Sequence, residues 1–435
     1  MIRVAARPAA EALTVVVATS VAVLAIMMPI SFADLGESAH DDLLVFNIPR
    51  AMTGGAFIAV ITAAVTVAVG SVRTARWTAL LALAGILLSH LLAAGDSSDG
   101  RLDSGVSLAT LNFVDALLAG MALGATAVAV WNEPRLRIAY LFAAIGATVL
   151  GDLTQTPTDD TTGGFDGALA GSLPLWFIGG SVLALAYFAV TSATPAAAHT
   201  DSAIPLAPVL AAVFVYSAII FTSLNVSHHK TSLRHVVIAS IIVLAATAAA
   251  AFVLPERDGV LTVLMSSFSV AGSLVITLPR NGWVDLGTLV AIAIGLGLGM
   301  HRPRPLAAAL WIVALAGLTL AADMTAPPAT LTAAVGCLAL GAICGYGVGS
   351  AVPVNSSSAV VGFCVLFVPS LGVALSDTEF GHLAYSSAWY RTAEVDRGPV
   401  PGTVAVIIAL VCTAIVALIL RRRQPSLPDS GPQSL

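Results

Sequence analysis

The chain has 435 residues and a net charge of −5, with 10% charged side chains against 58% hydrophobic ones. A soluble domain of that length carries about a quarter charged residues, and a single lysine, Lys230, leaves no basic surface for nucleic acid. The apolar residues come in blocks of about 20 separated by short polar joints, which excludes an ordinary soluble protein and implies a polytopic α-helical membrane protein.

Fourteen membrane spans are predicted, over 10–32, 52–72, 77–95, 105–131, 137–152, 174–193, 204–224, 235–254, 259–278, 284–300, 306–322, 330–351, 356–376 and 401–420. The first follows Arg3 and Arg7. Its apolar run is too long for a signal peptide and has no A-x-A site before Pro29, so it is expected to stay as a helix. Trp77, Trp131, Trp176 and Trp283 mark block ends, where aromatic belts form. Cys337, Cys344, Cys364 and Cys412 lie inside apolar blocks without metal-like spacing and read as small core residues. The loop 377–400 is expected to pack on the outer face through Phe380, Tyr385, Trp389 and Tyr390, and the Pro/Ser-rich tail 424–435 to be disordered in the cytoplasm.

Charge selects the sidedness. Arg3, Arg7, Arg73, Arg76, Arg135, Arg137, Arg257, Arg302, Arg304 and Arg421 to Arg423 fall in one set of joints. The other set is acidic, with Asp34, Glu37, Asp41 and Asp42, then Asp96, Asp99 and Asp103, then Asp159, Asp160 and Asp166, then Glu379, Glu394 and Asp396. The positive-inside rule places both termini in the cytoplasm, with the plasma (inner) membrane as the expected location. The joint 225–235 disagrees, because it holds Lys230 and Arg234 yet counts as external. Its His228, His229 and His235 lack the i, i+4 spacing or neighbouring carboxylate of a chelate, so no metal and no cofactor is expected.

The functional candidates gather around Leu108 to Trp131. Asn112 and Asp115 project from one face deep within that apolar run. An acid there is costly unless it faces protein or water, which makes Asp115 a candidate proton-binding group and Asn112 a substrate or packing contact. His90, in LLSHLL, is a second candidate for proton coupling, against an ordinary interfacial hydrogen bond. Arg73, Arg76, Arg302 and Arg304 are candidate gating-loop residues, although plain topology also explains them. No catalytic residue is assigned.

An internal repeat is also visible. LLAGMALG (117–124) matches LALGAICG (338–345), placing Gly120 and Gly124 against Gly341 and Gly345 at an offset of 221. GSVR (70–73) matches GMHR (299–302) at an offset of 229, and Phe142 to Asp152 matches Phe367 to Asp377 at 225. These imply six helices, two inserted helices and six more. The expected units are 1–196, 197–257 and 258–423.

Over 27–52, MMPISFADLGESAHDDLLVFNIPRAM resembles the first-helix exit of the fourteen-helix drug:proton antiporter branch of the major facilitator superfamily, through Pro29, Ala33, Asp34, Leu35, Gly36 and Ser38. The resemblance implies two six-helix bundles plus two inserted helices, a central cavity and alternating access. The chain departs from that branch in several places. GSVRTARW lacks the aspartate of the loop between helices 2 and 3, Ser20 stands where a first-helix acid would be, and Asn112 and Asp115 replace a fourth-helix arginine pattern. The expected function is a secondary transporter or exporter of a small amphipathic solute, with proton coupling through Asp115 as a further expectation and with the bilayer, solute and protons as partners. The alternative is a non-transporting scaffold or accessory protein on a transporter-like fold. A lipid- or sugar-transferring enzyme using Asp41 and Asp42 lacks catalytic apparatus in these loops.

Overall fold

The computed structural model describes residues 2–28, 30, 48–94, 108–154, 173–191, 204–228, 233–276, 282–325, 329–368, 371 and 400–423. They form fourteen α-helices and, among the described residues, no strand. In chain order these are α1 (Ile2–Met27), α2 (Ile48–Val69), α3 (Val72–Ala94), α4 (Leu108–Val130), α5 (Pro134–Thr154), α6 (Leu175–Thr191) and α7 (Leu206–His228). The rest are α8 (Leu233–Val253), α9 (Gly259–Ile276), α10 (Gly282–His301), α11 (Pro305–Thr325), α12 (Ala329–Ser350), α13 (Ser356–Cys364) and α14 (Val400–Arg422).

The helices follow from solvent. In hydrocarbon every backbone polar group must be satisfied within its own segment, and a helix does that. Seven of them, α1 to α4, α8, α10 and α14, are long and apolar enough to cross a bilayer, and five more are shorter apolar helices. Leu81, Leu183, Val190 and Trp283 point outward although they are large and apolar. That is the reverse of a water-facing surface and suits contact with lipid.

The protein is a polytopic membrane protein built as two six-helix bundles plus two inserted helices. Helices α1 to α6 pack among themselves, as do α9 to α14, while the α7–α8 hairpin lies against α2 on one side and against α9 and α14 on the other. The two bundles meet where α13 touches α2 and α4 and where α5 touches α10 and α12.

Each bundle is organised on the same seam, its second helix packed against its fourth. In α2–α4 a Cβ on Gly120 would collide with the Gly55 carbonyl oxygen, and one on Gly124 with that of Ala59. In α10–α12 a Cβ on Gly345 would collide with the Ile292 carbonyl oxygen, and Gly341 would bring one to 2.6 Å from that of Thr288. These are the glycines matched in the sequence repeat. Bare backbone faces let the helices touch, which is how van der Waals packing holds helices together where lipid is as apolar as the protein.

Two expectations are corrected. The span predicted over 356–376 is interrupted: Ser356–Cys364 is α-helix, after which Leu366 N–H donates to Phe363 O (2.9 Å) and Phe367 N–H to Cys364 O (3.2 Å) in tighter turns, Leu371 is helical again, and 369–370 and 372–376 lie outside the described residues. Pro369 follows in the sequence, and proline disfavours helix in the residue before it. Trp131, expected at an outward-facing block end, is instead 7% exposed and held between the bundles as described below, whereas Trp176 and Trp283 are exposed. The four cysteines are all buried, and none forms a disulfide among the described residues.

Candidate functional site

The polar cluster is built from the C-terminal end of α3 and the start of α4, which are packed neighbours. Asp115 lies roughly 10 Å along α4 at 1.5 Å per residue, in the first third of a 23-residue helix, so it is shallower than the middle of its apolar run. His90 stands near the end of α3 at the matching level. Asp115 is 1% exposed, Ser89 4% and His90 5%. The Ser89 hydroxyl reaches two acceptors, Asp115 Oδ1 and the Ile86 carbonyl at 2.8 Å, and its single hydrogen serves one at a time. His90 Nε2 stands 3.4 Å from Asp115 Oδ2, and neither atom is hydrogen-bonded among the described residues.

A charged carboxylate removed from water needs a compensating charge or several donors. Here one hydroxyl and one imidazole face it. The arrangement is suited to holding one proton between an acid and a base, with a hydroxyl that can leave or join as the proton moves.

Asn112, one turn before Asp115, has a different task. Its Oδ1 accepts the Ile30 backbone N–H at 2.7 Å. Ile30 lies just past the end of α1, after Pro29, so Asn112 satisfies a backbone donor that the helix no longer serves. Its Nδ2 is buried with no hydrogen-bond partner among the described residues.

The four gating candidates are not equivalent. Arg73, Arg302 and Arg304 are exposed. Arg76 is 7% exposed, stacks 4.4 Å from the centroid of the Phe188 ring on α6, and feels the charges of Glu11 and Glu133. It pins α3, α1 and α6 within one bundle. The side chain of Asp152 and the whole of Asp377, Asp41 and Asp42 lie outside the described residues, as do the side chains of His228 and His229. His235 belongs to α8 rather than to a loop.

Two contacts between or within bundles are not marked by any local motif. On the arginine-bearing side, Trp131 Nε1–H at the end of α4 donates to Val354 O at 2.8 Å, just before α13, with Tyr140 edge-on to the Trp131 ring and to that of Phe363. The stretch carrying Val354 is itself held by Asp258, 1% exposed, which accepts from Val354 N–H (2.7 Å), Asn355 N–H (3.3 Å) and Asn355 Nδ2 (3.0 Å). Asp258 precedes α9 beside Arg257, and its acidity among basic joints was the available signal. Asp285, 2% exposed in the first turn of α10, is a second buried acid that looks in sequence like an ordinary helix-start carboxylate. Trp131→Phe keeps the ring and removes the donor, so it should lower stability by about 1 kcal/mol, read as a small drop in melting temperature of the purified protein.

No family model matches the chain, and no curated protein does. Three solved structures resemble it at low identity. A variant of the E. coli fucose:proton symporter FucP is 16% identical, over 96% of this chain and 98% of that one, with a TM-score of 0.47. An auto-inhibited peptide transporter of the POT family is 13% identical, over 98% and 97%, with a TM-score of 0.45. FucP in an outward conformation, described as a major facilitator superfamily transporter, is 16% identical, over 96% and 99%, with a TM-score of 0.45. Likeness of this degree carries no statement about activity.

Proposed function

We propose that the chain is a secondary transporter, working as an exporter of a small amphipathic solute across the plasma membrane, with Asp115 and His90 sharing the coupling proton. The observation that supports this reading is the buried Asp115–His90 pair at 3.4 Å between α3 and α4, with neither facing atom hydrogen-bonded among the described residues. Titratable groups inside a membrane bundle mark ion pathways more often than packing. In this reading a proton arriving from outside settles between the carboxylate and the imidazole. Ser89 then turns to Ile86 O, and the α3–α4 contact shifts with the change in charge. Release of the proton restores the hydroxyl to Asp115. Both termini are cytoplasmic, and the Trp131–Val354 contact closes the cytoplasmic side.

The test is proton movement in proteoliposomes loaded with a pH-sensitive dye, driven by an imposed gradient and a panel of amphipathic solutes. Asp115→Asn should reduce solute-dependent proton flux to the background of empty liposomes. His90→Gln should lower it and alter its pH profile. Undiminished flux in Asp115→Asn removes this residue from the mechanism.

The same burial favours a second reading, a membrane scaffold. Asp115 is enclosed in a helix contact, and all nine residues of α13 are buried at the junction of the bundles. A scaffold needs the cluster only for stability. Asp115→Asn would then lower the melting temperature, wild type would show no flux with any solute, and a partner would co-purify.

A further inference from the structure

The two bundles leave a crevice where α5 and α10 part. It encloses about 450 Å3, and its walls include Ile138 and Phe142 from α5 and Ala293, Gly297 and His301 from α10. The crossing closes at its far end, where Gly146 would set a Cβ 3.2 Å from Leu289 Cδ2. At Gly297 a Cβ would meet nothing within 4 Å, so the space there is open. The volume lies in the range of small-ligand sites.

Each wall is a helical stripe that ends in positive charge. On α5, Phe142, Ile138 and Arg135 succeed one another at spacings of four and three, and Ile138 and Arg135 are both exposed. On α10, Ala293, Gly297 and His301 follow at spacings of four, the helix ends at His301, and the exposed Arg304 stands in the short joint that continues from that end to α11. An apolar slot therefore opens toward lipid, and both rims carry guanidinium groups at the same, arginine-rich, end. Guanidinium holds its charge and matches phosphate oxygens in a fork.

We infer that the α5–α10 crevice binds an anionic phospholipid, with an acyl chain along Ile138, Phe142 and Gly297 and the phosphate between Arg135 on one bundle and His301 and Arg304 on the other. A neutral lipid can fill the slot but gives the rims nothing to pair with. Basic clefts between membrane helices on the arginine-rich side favour anionic headgroups for this reason, at about a factor of five per cation. Because the walls belong to different bundles, the bound lipid spans the line along which they would move apart. This inference is independent of the transport reading and is read out by binding alone.

The test uses the full-length protein, stripped of lipid in detergent and then offered phosphatidylglycerol or phosphatidylcholine in mixed micelles, with bound lipid counted by native mass spectrometry. Wild type should retain phosphatidylglycerol over phosphatidylcholine. The double variant Arg135→Gln, Arg304→Gln should lose that preference by roughly 30-fold. Gly297→Leu fills open space, should fold, and should lower retention of both lipids. Equal retention of the two lipids by wild type overturns the inference. So does a preference that survives the double variant, and so does displacement of phosphatidylglycerol by inorganic phosphate alone, which would make this an ion site. Should Gly297→Leu fail to fold, the arginine pair decides the matter.

Discussion

Gly124→Val and Gly345→Val should each leave no monodisperse protein after purification, whereas Gly179→Ala should melt at or slightly above the wild-type temperature. A Cβ at Gly124 would stand inside the contact distance of the Ala59 carbonyl oxygen, and one at Gly345 inside that of Ile292. The obstruction is backbone, so no rotamer relieves it, and only separation of the two helices does. Overpacking in a core typically costs about 1–3 kcal/mol when side chains can yield. Here they cannot, and separation would also break the α2–α4 or α10–α12 seam on which each bundle is built. A loss above that range consumes most of a stability of about 5–15 kcal/mol. Gly179 has nothing within 4 Å of the added carbon, and alanine there gains about 0.5–1 kcal/mol in helix propensity. Size-exclusion profiles and thermal unfolding in detergent give the readout. A Gly124→Val protein that elutes and melts like wild type would mean that α2 and α4 do not touch through this face.

The glycine seams show which parts of the fold a sequence can disclose. Gly120, Gly124, Gly341 and Gly345 were legible as a repeat because close backbone approach admits one residue type, and the same constraint acts on both halves. Helix boundaries were legible because hydrocarbon demands unbroken apolar runs. Asp115, His90 and Asn112 were each conspicuous as polar residues in apolar blocks, but their partners were not. The 3.4 Å approach of His90 to Asp115 depends on the packing of α3 against α4, and Asn112 binds a backbone N–H 82 positions away. Arg73, Arg76, Arg302 and Arg304 looked alike as cations at repeat-related joints. Their difference arises because α6 supplies Phe188 beneath Arg76, and the sequence around Arg76 carries no sign of that ring. Trp131 read as an interfacial residue by its place at a block end, and only the return of the chain at Val354, 223 positions on, turns it inward.

Asp258→Ala should be the most damaging single polar substitution among those described, and its effect should reach the junction of the bundles. The carboxylate receives two backbone N–H groups and one amide N–H, at 2.7, 3.3 and 3.0 Å. Alanine removes both acceptor oxygens, and with them all three hydrogen bonds, and deprives the donors at Val354 and Asn355 of this partner in a partly buried turn. Hydrogen bonds to charged groups are worth about 1.5–3 kcal/mol each, and the weakest of these three adds less, so the total loss should be roughly 4 kcal/mol. Asp258→Asn keeps one acceptor oxygen but turns an NH2 toward donors, so it should fall between wild type and alanine. The turn it releases begins α13 and offers the carbonyl that accepts from Trp131, so the closure on the arginine-bearing side should loosen with it. Cys364, fully buried at the end of α13, reports that loosening. With Cys337, Cys344 and Cys412 replaced by alanine, Cys364 should react with a membrane-permeant maleimide faster in Asp258→Ala than in the parent, with Asp258→Asn between them. Wild-type melting together with unchanged Cys364 labelling in Asp258→Ala would show that this carboxylate does not hold the junction. A lowered melting temperature with unchanged labelling would confine its role to stability.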